Sequence, residues 1–289
     1  MVARRYSAQA FVRGMVAVLV CLVLWEVGSR SQHWLGAVFF SPVRAVLGAL
    51  GFKETYLPAI GAVPAPSAVS HAWAAVITDP GYWQSWYKSF FRVATGFIAA
   101  LVVGIPFGLL LAVNRTAFGI AFPVFEVLRP IPPLAWVPAS IIFWPTQELS
   151  ISFVTFLGAF YTIVINVVGG AKSIDTRYFQ SARSMGSSNW DIFRRIILPG
   201  TLPSIVVGAV VGMGITWEVV VAAEMISGGG SQVGGTSGGG LGFFIWNSYM
   251  GGAYEQIVVG MISIGIAGFI SSEVLRLLGR YATPWLKVR

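Results

Sequence analysis

The sequence predicts an all-α, polytopic membrane protein of about six transmembrane helices, since each crossing needs roughly 20 apolar residues. Three observations carry that prediction. The 289 residues are 56% hydrophobic and only 10% charged, against about 25% charged in a soluble domain. The polar residues are too few to cover a globule, and the mean hydropathy is +0.75. The third observation is that Lys and Arg gather in alternate connections between the apolar runs.

The spans follow in order. The first runs from Phe11 to about Gly28, and the second is "SFFRVATGFIAALVVGIPFGLLLAV", residues 89–113. The third covers residues 119–144 and is interrupted by Pro130, Pro132, Pro133 and Pro138. Each proline removes a backbone donor and clashes with the preceding turn, so this helix is kinked, either for packing or to line a path. The fourth is Ile151 to Gly170, the fifth Pro203 to about Ile226, and the sixth Glu255 to about Leu278.

Arg4, Arg5 and Arg13 lie at the start of the chain, Arg115 follows span two, and Lys172, Arg177, Arg183, Arg194 and Arg195 follow span four. Arg276, Arg280, Lys287 and Arg289 close the chain, whereas "PTQEL" and residues 227–254 carry no Lys or Arg. The positive-inside rule therefore places both termini and the segment after span four in the cytoplasm. The first loop, about 29–86, holds candidate interfacial helices at "FFSPVRAVLGALGF" and "SAVSHAWAAVI", with "AVPAPSAV" extended between them. Trp73, Tyr82, Trp83, Trp86 and Tyr87 suit the membrane boundary. A signal-peptide site at Val27-Gly28-Ser29 would leave an odd number of spans, so span one reads as an uncleaved anchor.

Several chemistries are excluded. One cysteine, Cys21, gives no disulfide framework or zinc spacing. The net charge of +8 comes without a basic run interleaved with aromatics, which argues against nucleic acid and for loops facing anionic lipid. His33 and His71 both fall in the first loop, so an intramembrane serine protease has no histidine at depth. No HExxH and no GxxxxGK[ST] occurs, so neither a zincin site nor a phosphate loop is present. The glycine-rich run 227–242 has no lysine and reads as a flexible linker, or else as a contact for an extracytoplasmic protein or part of an outer gate, with "LGFFIWNSY" after it the better gate candidate through Phe244 and Trp246.

The segment "QSARSMGSSNWDIFRRIILPGTLP", residues 180–203, is too polar to span and too long for a turn. It reads as two short helices. "TRYFQSARSMG" ends at Gly186, which can take the left-handed backbone of a helix C-terminus. The second begins after Ser187, Ser188 and Asn189, all capping types, and Pro199 is expected to stop it. Trp190, Phe193, Ile196 and Ile197 then share one face, and Asp191, Arg194 and Arg195 occupy much of the other. The bland alternative is an amphipathic helix resting on headgroups.

These residues resemble the cytoplasmic coupling motif of ATP-binding-cassette importer permeases. The motif's Glu-Ala-Ala is Gln180-Ser181-Ala182 here, its glycine is Gly186, and its Leu-Pro is Leu198-Pro199. The likeness covers roughly residues 85–280 and, through "LRPIPPLAWVPASIIFW", "VAAEMI" and "GLGFFIWNSY", points to the nitrate, sulfonate, taurine and bicarbonate branch. It implies a type I importer permease fold, a second permease copy (a homodimer), two ATPase subunits and an extracytoplasmic solute-binding protein. It also implies that ATP and Mg act on the partner and that this chain binds no cofactor. Gln180, Ser181, Ala182, Arg183, Gly186, Asp191, Arg194, Leu198 and Pro199 become the ATPase-coupling candidates. The division expected is an anchor and extracytoplasmic loop at 1–88, a permease core at 89–280 with coupling helices at about 172–200, and a cytoplasmic tail at 281–289. An ion-coupled secondary transporter is the alternative, and it predicts repeats that the halves do not show.

Charges inside spans cost at least about 2.5 kcal/mol each. Glu126 and Arg129, three apart, either pair or leave Arg129 to attract an anion. Glu218 and Glu224 would repel a bare anion and read mainly as structural or interface residues; Glu26 and Glu273 lie near span ends, and Asn166 reads as a packing hydrogen bonder. Arg129, Trp136, Trp217, Glu218, Phe244 and Trp246 are the candidates for a translocation path.

Overall fold

A computed structural model describes residues 8–30, 40–51, 63–228 and 239–285, and among these the regular structure is helical throughout. The helices are α1 Ala8–Arg30, α2 Phe40–Ala49, α3 Pro66–Val76, α4 Pro80–Val113, α5 Arg115–Leu128, α6 Val137–Phe143, α7 Gln147–Lys172, α8 Thr176–Ser184, α9 Asn189–Ile192, α10 Leu198–Gly228, α11 Leu241–Met250 and α12 Tyr254–Ala282. A 3-10 turn, Pro133–Trp136, precedes α6, and a π-helical stretch, Phe193–Ile197, joins α9 to α10. Among the described residues five helical stretches are long and apolar enough to cross a membrane. A sixth is gained if α5 and the Pro133–Phe143 pair, bent by 88°, count as one broken span. The bend falls where the sequence crowds its prolines, as expected.

Contacts divide the chain into two units, residues 1–80 with 247–259 and residues 81–246 with 260–289. In the first unit, Glu26 of α1 caps α3: its carboxylate accepts from the Ser67 backbone N–H at 3.1 Å and from the Ser67 hydroxyl at 2.8 Å. Arg30 holds the same carboxylate at 2.5 Å. Glu26, near the end of span one, therefore ties two helices together. Over residues 12–24 the side chains of α1 are exposed, Cys21 included.

In the second unit, α7 is the central helix. Small residues on α4 recur at every fourth position, Gly96, Ala100, Gly104 and Gly108. A Cβ on Gly96 would meet Thr155 at 2.8 Å, and one on Gly108 would meet Val167 at 2.8 Å. In lipid no hydrophobic drive pulls helices together, so close backbone approach and dispersion must do so, and this stripe permits it. The other side of α7 receives α10 in the same way: Gly158 lies against Val219, Gly208 against Asn166, and Gly212 against Ala159. Asn166 is expected from the sequence to hydrogen-bond between helices; it bonds instead within its own helix, to the Thr162 carbonyl at 2.8 Å. Phe125 of α5 sits among Phe107, Phe122, Phe160 and Tyr161, beside buried Leu111, Val164 and Val168. The Lys172 ammonium stands 3.4 Å over the Phe118 ring, closing that cluster with a cation–π contact.

Three local expectations are corrected. The first loop ends sooner than expected, because α4 begins at Pro80, a residue pre-set for the first helical position. Tyr82 consequently belongs to the packed core rather than to a boundary belt. It is buried, its hydroxyl lies 2.7 Å from that of Ser263, and its ring meets Trp83, Trp86 and Phe244 edge-on. Within "AVPAPSAV" the extended backbone reaches Ala65 (ψ 147°), and a helix starts at Pro66.

Candidate functional site

The segment after α7 forms the elbow that the sequence predicts, built from local backbone chemistry. Asp175 caps α8 by accepting from the Arg177 N–H at 2.9 Å. Gly186, at φ +78°, ends it. The Ser187 N–H bonds the Ala182 carbonyl and the Gly186 N–H bonds the Arg183 carbonyl, both at 3.0 Å. This is the paired closure of a Schellman end, which needs the left-handed residue that glycine supplies. Ser188 then opens α9 with a reciprocal capping box: its hydroxyl accepts from the Asp191 N–H, and the Asp191 carboxylate accepts from the Ser188 N–H. Arg195 lies 3.8 Å from Asp191, one turn on.

The expected stop at Pro199 is not there. The helix runs on from Asn189 to Ser227, through the π-helical stretch and into α10. Leu198 donates to the Phe193 carbonyl across the wide turn, and Pro199 falls at the return to ordinary pitch. At that change of register a missing N–H removes no bond the helix requires, so proline is tolerated. The elbow and span five are thus one rod. The expected apolar face holds at Phe193, Ile196 and Ile197, which are half-buried opposite exposed Arg194 and Arg195, and is corrected at Trp190. Trp190 is 67% exposed and stacks on Phe193 at 5.6 Å, while Ile192 is the buried residue. Tyr178, Met185 and Trp190 are exposed together with Gln180, Ser181, Arg183, Arg194 and Arg195, while Ala182 is buried.

At the far end of α10 lies a cluster that sequence reasoning missed. Arg92 of α4 is its hub. Its guanidinium, 2% exposed, grips Glu148 at the start of α7 with two bonds of 2.7 and 2.5 Å. It also donates to Glu224 of α10 at 2.9 Å and to the Gly239 carbonyl at 2.5 Å. Glu224 is fully buried and accepts further bonds from the Ser89 hydroxyl at 2.8 Å and from the Gly242 N–H at 2.9 Å. Ser89 in turn accepts from the Leu241 N–H at 2.8 Å. Two of the unpaired N–H groups at the start of α11 are therefore satisfied by side chains of α4 and α10. Gln147 adds a bond to the Ser227 carbonyl at 2.7 Å, near the end of α10. The signal was present in the sequence: a cation within "SFFRVATGF" demands a partner inside the apolar slab.

The candidate path residues are scattered. Arg129 pairs with Glu126 at 3.0 Å, and both are about half exposed. Trp136 sits in the 3-10 turn that packs on α7 and α10. Trp217 is buried against Gly268 and donates to Ser271 at 3.3 Å, which makes it a packing residue between α10 and α12. Phe244 and Trp246 are half-buried, Phe244 against Tyr82. Glu218 is exposed. Arg276 pairs with Glu273. Most of the glycine-rich run, Arg4, Arg5, Lys287, Arg289 and His33 lie outside the described residues. Among the described residues no group of three His, Cys, Asp or Glu side chains is placed to hold a metal ion.

Comparison with known proteins agrees with this architecture. The chain is 32% identical to the nitrate import permease protein NrtB of Synechocystis, covering 94% of this chain and 90% of that one. It is 32% identical to the taurine transport system permease protein TauC of Escherichia coli, over 72% of each. A chain of a bacterial ABC transporter involved in the import of the acidic polysaccharide alginate shares the fold, with a TM-score of 0.56 at 13% identity over 93% of this chain and 99% of that one. Residues 104–288 match the profile described as "Binding-protein-dependent transport system inner membrane component". The chain belongs to that family and is a multi-span permease of its ABC-importer branch that includes the nitrate and taurine permeases.

Proposed function

We propose that this chain is the membrane-embedded half of an ATP-driven importer, pairing with a second copy of itself in the bacterial inner membrane with both termini cytoplasmic. Two separate ATPase subunits bind the elbows. An extracytoplasmic binding protein delivers a small solute bearing an oxyanion, of the nitrate, sulfonate or bicarbonate kind. The chain supplies the passage and hydrolyses nothing itself.

One observation carries this reading: the exposed elbow is continuous with span five. ATP binding that draws two elbows together would move each rod as a body, because a continuous helix does not absorb the motion at a hinge. Tyr178, Met185 and Trp190 offer apolar surface for docking, and Arg183, Arg194 and Arg195 offer charge. Gln180 stands where the resembling motif has glutamate, so the contact there is a neutral hydrogen bond rather than an ion pair. The Arg92 cluster, on the outer side in this orientation, fixes α11 to the same rod and carries elbow motion to the outer gate. Crosslinking thiols placed at Trp190 and on the ATPase, in the complex reconstituted with its binding protein, tests the reading. Capture of the elbow by the ATPase supports it, whereas an elbow reached only from the binding-protein side would end it.

A further inference from the structure

The two carboxylates of α10 have opposite surroundings. Glu224 is buried and paired, but Glu218, six residues earlier, is exposed and has no hydrogen bond or ion pair among the described residues. Glu218 lies about 15 Å before the end of α10 and about 30 Å beyond its start, at 1.5 Å per residue. It is therefore at apolar depth. It shares an exposed face with Val207, Val211 and Gly214, spaced as neighbours on one helix side. Gly214 differs from the other glycines of this helix's core: Gly208 and Gly212 pack on α7, whereas a Cβ at Gly214 meets nothing within 4 Å.

Three surroundings are available to that face. Lipid is excluded for an unpaired carboxylate by the cost of burying its charge. Contact with the same face of a second copy would set carboxylate against carboxylate where the two-fold axis passes beside Glu218. A water-filled passage leaves the charge solvated, and open Gly214, one turn away, leaves room beside it. Arg92 and Arg129 are each engaged by carboxylates other than Glu218, so neither of them neutralises it.

We propose that Glu218 lines the solute path and favours a zwitterion, one that carries an ammonium group together with its oxyanion, over a bare inorganic anion. This rests on the importer reading and sharpens its substrate class. The receptor can select on the oxyanion; Glu218 acts on what passes.

The single cysteine makes a substrate-independent test possible. In a Cys21→Ser background, a thiol is placed at Gly214→Cys, or at Val211→Cys should that variant misfold. In the complex assembled with its ATPases, this thiol is titrated with a cationic trimethylammonium-ethyl and an anionic sulfonatoethyl methanethiosulfonate. Each rate is normalised to a free thiol in solution. The cationic reagent is expected to react about tenfold faster after normalisation, as a charged cleft concentrates its counter-ion. That preference is expected to fall to near unity with Glu218→Gln and to persist with Glu126→Gln. A ratio indifferent to Glu218 would overturn the proposal. So would labelling only by a membrane-permeant maleimide, which marks a lipid face, or disulfide crosslinking of two copies with no reagent access. Elbow capture without charge discrimination would sink this inference and leave the importer reading standing; discrimination without capture would do the reverse.

Discussion

The two ends of α10 are built on opposite plans. At the end near Glu224, side chains from α4, α7 and α10 and the first turn of α11 converge on one buried arginine, and every contact spans different helices. At the elbow, the caps and turns are made between residues three to five apart: Asp175 and Arg177 aside, Ser188 with Asp191, Ser187 with Ala182. The first end is fixed by tertiary contacts that no single helix could satisfy alone. The second is shaped by its own sequence and keeps Tyr178, Met185 and Trp190 exposed. The proposed lever would use this division, with a pre-formed handle and a firmly attached load.

Arg92→Leu should have the largest effect. It strands the buried Glu224 carboxylate, and removing one member of a buried ion pair costs about 3–5 kcal/mol. Thermal unfolding of the purified protein should show it. Adding Glu224→Leu should recover part of the loss, since an apolar pair has no charge to strand; no recovery would mean that Glu224 is not Arg92's dependant.

Gly186→Val comes next. A β-branched residue at φ +78° is strained by about 1–3 kcal/mol, and the strain bears on the elbow alone. We expect intact membrane insertion with ATP hydrolysis uncoupled from uptake in proteoliposomes. Normally coupled uptake would remove the turn from the mechanism.

Ser188→Ala should lose about 1 kcal/mol of cap stability, visible as faster amide exchange in α9 with α11 unaffected. Exchange that also rises in α11 would erase the distinction between the ends. Arg129→Ala is the smallest in stability, below about 1 kcal/mol for a half-exposed pair. It should nonetheless weaken uptake of an oxyanion-bearing solute; unaltered uptake kinetics would assign the pair to packing.

Much of the elbow was legible because its signals are local. Gly186 has the left-handed backbone that the sequence demanded, and Ser188 caps the next helix. The proline bend in span three was equally readable. Pro199 misled because a proline ends a helix only where its N–H is needed, and the wide turn before it removes that need. Tyr82 misled because an aromatic near a span end can face either a membrane boundary or a core, and composition does not distinguish them.

The sequence alone determined a helical bundle with spans of membrane-crossing length and a capped elbow after span four. Hydrophobic length, charge placement and capping all act within a few residues of one another along the chain. Only the tertiary structure decided that Arg92, Glu148, Glu224 and Ser89 form one cluster, and that of two carboxylates on one helix Glu224 is paired and Glu218 is not. Those outcomes depend on which helix faces meet, and a side chain's partner across 130 residues leaves no periodic mark in the sequence.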